Sequence, residues 1–531
     1  MHLLAAKPGG FVDEEGIIDL QQDPAEIVIL SAADSQLAAL SAGLASSELA
    51  SAEAGLSVRI ANWMALSKPA AYDLYEHKVL QHATLVVVSL LGGRNYWPYG
   101  FERLCDWARG AGRTLILVPG DDTPDPELTA ASDVSAEQHS AVWRFLRESG
   151  AQNSRDLLHY LAAEFFARNY PWQAAKALPR ALLYWPESTQ STVTYTQCCA
   201  HWQDDSPVVA LLFYRSHLQS ANTAVFDGLI AKLIAAGLNP LPLAISSLKD
   251  EQAMAVVNTL LTRSEAALIL NTTGFASNRS DGPQLASQPS DYRSPFARDI
   301  PVLQLVLSSS TEEDWQSFSQ GLRARDVAMQ VALPELDGRI LSRAVSFKAA
   351  SYTDELAQLD VVRYALHAER ADFVIELARR YCTLGAKPNA HKRLAVILAN
   401  YPTKDGRIGN GVGLDTPNSC INLLRALQRE GYPLPEELPE NGNALIEQLL
   451  QSVTNNPNTL HYLGCWQSLE ITEYRHFFAA LPTDAQRAVL ERWGEPEADI
   501  KARDGRLMIA GIRLGETFIG IQPARGYNLD L

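Results

Sequence analysis

Short apolar runs recur along the chain, each followed by polar residues and then by a stretch with helical spacing. Residues 27–30, 56–60, 85–91 and 114–118 are such runs and read as strands. Between the first two, the Ala- and Leu-rich residues 36–54 read as a helix that Gly55 stops. Pro119-Gly120-Asp121-Asp122 closes the fourth strand as a turn. Strands alternating with helices predict a parallel α/β sheet with right-handed crossovers.

The rhythm then breaks and returns. Residues 121–135, rich in Asp, Pro, Thr and Ser, read as a linker, and residues 136–197 read as mostly helical. A second α/β unit opens with a strand at 208–213, passes through a polar loop to a helix over 223–236, and stops at Gly237. Strands at 241–245, 267–270 and 302–307 and a helix over 251–261 extend it. A third unit repeats that opening: strand 394–399, a long polar loop, a helix over 415–430, and Gly431. The repeat predicts two related α/β domains facing each other, with a cleft at the strand C-termini. Residues 507–512 and 517–521 read as a hairpin around Leu514-Gly515-Glu516. The remaining residues, 522–531, read as a chain that stops inside a domain.

The expected fold class is therefore α/β: several Rossmann-like, doubly wound units with mainly parallel sheets, plus a helical insert. The expected domains are 1–125 (α/β), 136–205 (helical), 206–390 (α/β) and 391–531 (α/β, incomplete at its C-terminal end). A length of 531 residues agrees, since roughly 100–200 residues per domain gives about three or four domains.

Composition adds exclusions. Hydrophobic residues at 47% and charged residues at 20% describe an ordinary globular chain. No apolar run approaches membrane-span length, and Lys7 followed by acidic residues leaves no signal-peptide core, so the cytoplasm is the expected compartment. A net charge of −16 argues against free nucleic acid as a partner but allows a local basic pocket. The cysteines at 105, 198, 199, 382, 420 and 465 form no Cys-x-x-Cys pair and read as reduced thiols.

Residues 401–417 carry the most chemical information. Gly406, Gly409, Gly411 and Gly413 let the backbone turn sharply and approach a ligand, and Lys404 and Arg407 beside them suit carboxylates. Asp415 or Thr416 can cap the next helix, and Pro417 suits its first turn. The segment is neither a Walker A loop nor a G-x-G-x-x-G turn. In the second unit, Arg215 and His217 follow the strand 208–213, and Asn271 follows another strand, so these three are candidates for the same cleft. Arg215, His217, Lys404 and Arg407 are expected to line it together. The stretch 91–99, Leu-Gly-Gly-Arg-Asn-Tyr-Trp-Pro-Tyr, suits either a planar ligand or aromatic packing between domains. No metal-ligand spacing and no G-x-S-x-G element stand out, and the metal ligands are unassigned.

Residues 1–10, 213–216, 401–417 and 520–527 resemble the CobN/magnesium chelatase large-subunit family, most specifically at 401–417 and 522–527. The resemblance covers the whole chain. It implies the large, corrinoid-holding subunit of an ATP-dependent cobaltochelatase, which inserts Co²⁺ into hydrogenobyrinic acid a,c-diamide in aerobic cobalamin synthesis. It implies that ATP and Mg²⁺ are used by AAA+-type partner subunits of the CobS and CobT type, in keeping with the missing Walker A loop. It adds Asn410, Gln522, Arg525 and Tyr527 to the substrate contacts, and His217 and Asp405 as candidate bases for the ring protons. Two departures stand out. Family members are roughly twice this length, and Asn528 stands where the magnesium branch has an acidic residue. The fragment is expected to be inactive alone. Three other readings stay open: a truncated non-catalytic tetrapyrrole- or partner-binding module, a magnesium chelatase-like large subunit, and a nucleotide-sugar or other two-domain α/β transferase.

Overall fold

The structure is a computed structural model. It describes residues 18–50, 55–121, 123–186, 193–277, 294–317, 319, 321–401 and 403–524, with side chains left out at 350 and 351. The chain divides into two compact units, residues 1–382 and 383–531.

The first unit holds two sheets. Strands β1 (Ile27–Ser31), β2 (Val58–Asn62), β3 (Leu85–Leu90) and β4 (Thr114–Pro119) form a fully parallel sheet in the order β2-β1-β3-β4. These strands are continuous apolar runs because helices cover both faces. Ile27, Ile29 and Val87 pack with Leu37 and Leu40 of helix Asp34–Ala45, Phe145 of Ala136–Glu148 and Leu157 of Ala151–Phe166. On the other face, Val28, Leu30 and Val88 pack with Tyr72 of helix Pro69–Lys78 and with Phe101 and Leu104 of Pro98–Ala108. The expected helical segment 136–205 is thus corrected in two ways. Its helices complete the core of the first sheet, and after Phe166 the chain runs largely without helix to a strand, β5 (Ala181–Leu183).

The second sheet has seven strands in the order β11-β10-β9-β8-β6-β7-β5. Its centre is parallel: β6 (Val208–Tyr214) between β7 (Asn239–Ile245) and β8 (Leu268–Asn271), then β9 (Val302–Leu307). Both edges add antiparallel strands. β5 pairs with β7, and β11 (Leu359–Leu366) pairs with β10 (Ile340–Asp354). Helix Ala224–Ala235 buries Val225, Phe226 and Leu229 against β6 and β8. In the stretch 91–99, Trp97 is buried and stacks on Trp63 of the same core at 5.1 Å, while Tyr96 is exposed.

The second unit is smaller. Strand β12 (Leu394–Leu398) precedes a two-strand hairpin in the following loop, β13 (Asn410–Gly411) with β14 (Leu414–Asp415). Strands β15 (Gln467–Glu470), β16 (Ala502–Arg503) and β17 (Arg506–Ile509) form one antiparallel sheet. Strands β18 (Gly511–Leu514) and β19 (Thr517–Ile521) form a hairpin whose second strand pairs in parallel with β12. The strand expected at 507–512 is therefore two strands in two sheets, divided at Ala510 and at Gly511, whose φ of +143° favours glycine. Leu398, Ile421, Leu424, Leu445, Ile512 and Ile519 make the core of this unit.

Candidate functional site

Because β12 and β19 run parallel, the segments leaving their C-terminal ends emerge side by side. The Gln522 amide donates to the Leu398 carbonyl (2.9 Å), and the Asn400 amide donates to Gln522 Oε1 (3.3 Å). The chain after Asn400 turns back at once, and the Gly409 amide donates to the Ala399 carbonyl (2.7 Å). Gly409 holds φ at +73°, and a Cβ there would lie 3.2 Å from Pro417 Cγ, so both conformation and space favour glycine. Asp415 ends the loop as an N-cap, accepting from the Asn418 amide (3.2 Å), and Pro417 occupies the first turn of helix Thr416–Arg429. The hydrogen bonds from Asn418 hold the Asp415 carboxyl below its usual value.

A third segment locks this arrangement. Thr454 Oγ1 donates to Asp405 Oδ1 (2.7 Å), and Asn456 Nδ2 donates to Asp405 Oδ2 (2.9 Å). Between them, Asn455 Nδ2 donates to the Gln522 carbonyl (2.8 Å), and Lys501 Nζ donates to Asn455 Oδ1 (3.0 Å). Partial burial holds the Lys501 amine below its usual value. Three consecutive residues thus tie the glycine-rich loop to the end of β19. Both carboxylate oxygens of Asp405 accept in this tie, which holds the loop in place.

Lys404 and Arg407 flank Asp405 in one exposed turn and have no acidic partner among the described residues. Asn410, also exposed, donates through Nδ2 to the Tyr401 carbonyl (3.2 Å). Asn400, in contrast, is buried. It is 2% exposed, and neither Nδ2 nor Oδ1 of its carboxamide has a partner among the described residues. Buried carboxamides are nearly always paired, so an unpaired one at a strand end marks a place for complementary chemistry.

The candidates in the first unit have other surroundings. His217 is 1% exposed, with its ring against Phe226 (4.8 Å) and Tyr364 (5.8 Å), and burial lowers its pKa to about 3. The ring lies in the core just past the end of β6, and its Nδ1 has no partner among the described residues. Asn271 is wholly buried. Its Nδ2 donates to Gln304 Oε1 (2.7 Å) and the Thr273 carbonyl (3.0 Å), and Thr273 Oγ1 donates to its Oδ1 (2.9 Å). Arg339 joins the same network, donating to the Thr273 carbonyl (3.2 Å) and to Asp337 (2.6 Å). Asn271 therefore fastens the end of β8 and has no polar atom to spare for a ligand. Arg215 donates to the Leu178 carbonyl (2.7 Å). Arg525 and Tyr527 lie outside the described residues, as do residues 1–10.

Sequence reasoning missed Asn400, Thr454, Asn455, Asn456 and Lys501. A signal existed for the middle three: the run Thr454-Asn455-Asn456-Pro457-Asn458 is dense in side chains that hydrogen-bond to loops. Among the described residues, no group of three His, Cys, Asp or Glu side chains is placed to hold a metal ion. None of their helices is long and apolar enough to cross a membrane.

Comparison with known proteins relates the chain to a family. The family described as CobN/Magnesium Chelatase matches residues 143–531. The aerobic cobaltochelatase subunit CobN of Pseudomonas aeruginosa is 50% identical over 530 residues, and that of a Sinorhizobium species 39% identical over 536. Each alignment takes in 100% of this chain, which spans 41% of each relative's length. The solved catalytic subunit of cobaltochelatase from Mycobacterium tuberculosis superposes with a TM-score of 0.59 at 27% identity, covering 95% of this chain and 39% of that one. With a match to residues 143–531 and 50% identity along its whole length to a named CobN, this chain belongs to the CobN/magnesium chelatase family.

Proposed function

We propose that this chain forms the corrinoid-holding part of a cobaltochelatase, with Co²⁺ and hydrogenobyrinic acid a,c-diamide as substrates. The observation that carries the reading is the strand-end cluster of the second unit. Two exposed cations, Lys404 and Arg407, stand on a loop that Asp405 holds in place, beside the buried, unpartnered carboxamide of Asn400. A macrocycle fringed with carboxylates and carboxamides needs both kinds of partner: cations for the acids, and an amide donor–acceptor pair for the amides.

Metal insertion also requires two N–H protons to leave the ring. Asp405 is committed to Thr454 and Asn456, and His217 is committed to the core, so the acceptor is assigned to neither. ATP hydrolysis, with its Mg²⁺, is assigned to AAA+-type partners of the CobS and CobT type. The purified chain is accordingly expected to show no saturable ATP turnover; a phosphate-release assay that found it would remove this division of labour.

The direct test is a titration of the chain with hydrogenobyrinic acid a,c-diamide, with and without Co²⁺, followed by corrin absorbance. Saturable 1:1 binding is expected. Failure to bind by a chain that melts cooperatively would overturn the reading.

A further inference from the structure

Helices Ile471–Ala479 and Thr483–Trp493 lie next to the sheet of β15, β17 and β16 without closing on it. They leave a cavity of about 550 Å³, well within the roughly 300–1,000 Å³ of small-molecule sites. Tyr474, Phe478 and Trp493 line it, together with Leu507 and Met508. Tyr474 and Phe478 stack with centroids 5.7 Å apart and planes 21° apart, which presents paired ring surfaces. The two helices stay largely open: only Ile471 is buried in the first, and no residue is buried in the second.

The cavity also has a polar end. Lys501 lines it, and its ammonium has three donors, of which one goes to Asn455 Oδ1 at 3.0 Å. The acids nearby are engaged. Glu495 accepts from Arg475 (2.9 Å), and Asp499 Oδ1 accepts from the Lys501 amide (2.8 Å). Asn455 is itself fixed to the Gln522 carbonyl, so Lys501 is held in place rather than loose on the surface.

We propose that this cavity is a binding site for a flat, apolar-ringed molecule bearing a carboxylate or sulfonate, with its rings against Tyr474 and Phe478 and its anion on Lys501. The site uses none of the charges on the glycine-rich loop and does not rest on the metal-insertion reading. Ring stacking and a charge-assisted hydrogen bond together give both an affinity and a preferred orientation.

The test uses the whole chain under native conditions with two fluorescent probes. One is 8-anilinonaphthalene-1-sulfonate; the other is N-phenyl-1-naphthylamine, which has the same rings and no sulfonate. The sulfonate is expected to bind saturably at one site, with energy transfer from tryptophan. Lys501→Met should weaken the sulfonate at least tenfold and leave the neutral probe within twofold. Lys501→Arg should restore most of the sulfonate affinity. Ala479→Trp, which fills the cavity from an exposed wall position, should abolish binding of both probes. Melting curves on each variant show that the fold is intact. The proposal is overturned if Lys501→Met changes both probes equally or changes neither. It is also overturned if Ala479→Trp binds both as the parent chain does.

Discussion

An imidazole closed off from water holds its proton less readily than one in solvent, and His217 carries that consequence into stability. Its folded pKa is lowered to about 3, below the ordinary value of 6.5. The unfolded chain therefore binds a proton near pH 6.5 that the folded chain refuses. Stability contributed by the neutral ring is fully present above that pH and falls as the pH drops toward 3. Between pH 7 and pH 5 the loss is about 2 kcal/mol. Urea melts of the parent chain and of His217→Gln should show the variant with the flatter slope over that interval; parallel slopes would mean that the ring is solvated. Asp405 makes a different argument at the same scale. Its two oxygens both accept, so Asp405→Asn keeps the bond from Asn456 Nδ2 only with its NH₂ turned to Thr454 Oγ1, whose hydroxyl must then accept instead of donate, and the charge-assisted character of both bonds is lost. Asp405→Ala, which leaves both partners unpaired, should loosen the loop by about 1–3 kcal/mol, and Asp405→Asn by less. Faster amide exchange across residues 403–411, with little change at β12, is the expected signature.

Elements show where the sequence was readable. Residues 27–30, 85–91, 114–118, 208–213 and 302–307 lie within a residue or two of strands, because parallel strands buried on both faces must be apolar throughout. β10 escaped notice for the opposite reason. Residues 340–354 mix Arg343 and Lys348 with apolar positions, and the strand's pairing is interrupted by irregular registers. The helix read over 36–54 ends at Ala45, with Gly43 inside it. A Cβ on Gly43 would fall 2.5 Å from Ser154 Cβ, so this glycine is a close approach between two helices and not a helix stop. Gly43→Ala should cost about 1–3 kcal/mol through overpacking, measured by thermal melting. Lys348 shows how the elements are fastened. Its Nζ donates to Asp34 Oδ2 (2.6 Å), and the two side chains are only 2% and 11% exposed, so the pair ties β10 to the first turn of helix Asp34–Ala45. Lys348→Met removes the ammonium from beside a buried carboxylate and should destabilise the first unit by about 3–5 kcal/mol. The double change with Asp34→Leu should recover part of that loss in a mutant cycle; an additive loss would show that the two residues act independently.

At the scale of the whole molecule, local and global charge oppose each other. The chain carries a net charge of −16, which repels a polyanionic ligand at a distance, whereas Lys404 and Arg407, on one exposed turn, are the cations proposed to attract it. Salt separates these two effects. The Debye length is about 30 Å at 0.01 M and about 8 Å at 0.15 M, so added salt removes the distant repulsion first. In the parent chain the loss of local attraction offsets part of that gain. In Lys404→Ala/Arg407→Ala only repulsion remains to be screened. The association rate of hydrogenobyrinic acid a,c-diamide, measured by stopped flow, should therefore rise with salt more steeply in the double variant than in the parent. At low salt the double variant should bind more weakly, by up to about 1 kcal/mol for each exposed cation, and its melting temperature should hardly move because both residues sit on a loop. Parallel salt profiles, or equal affinity at low salt, would take the glycine-rich loop out of the binding site while leaving the membership of the chain in its family untouched.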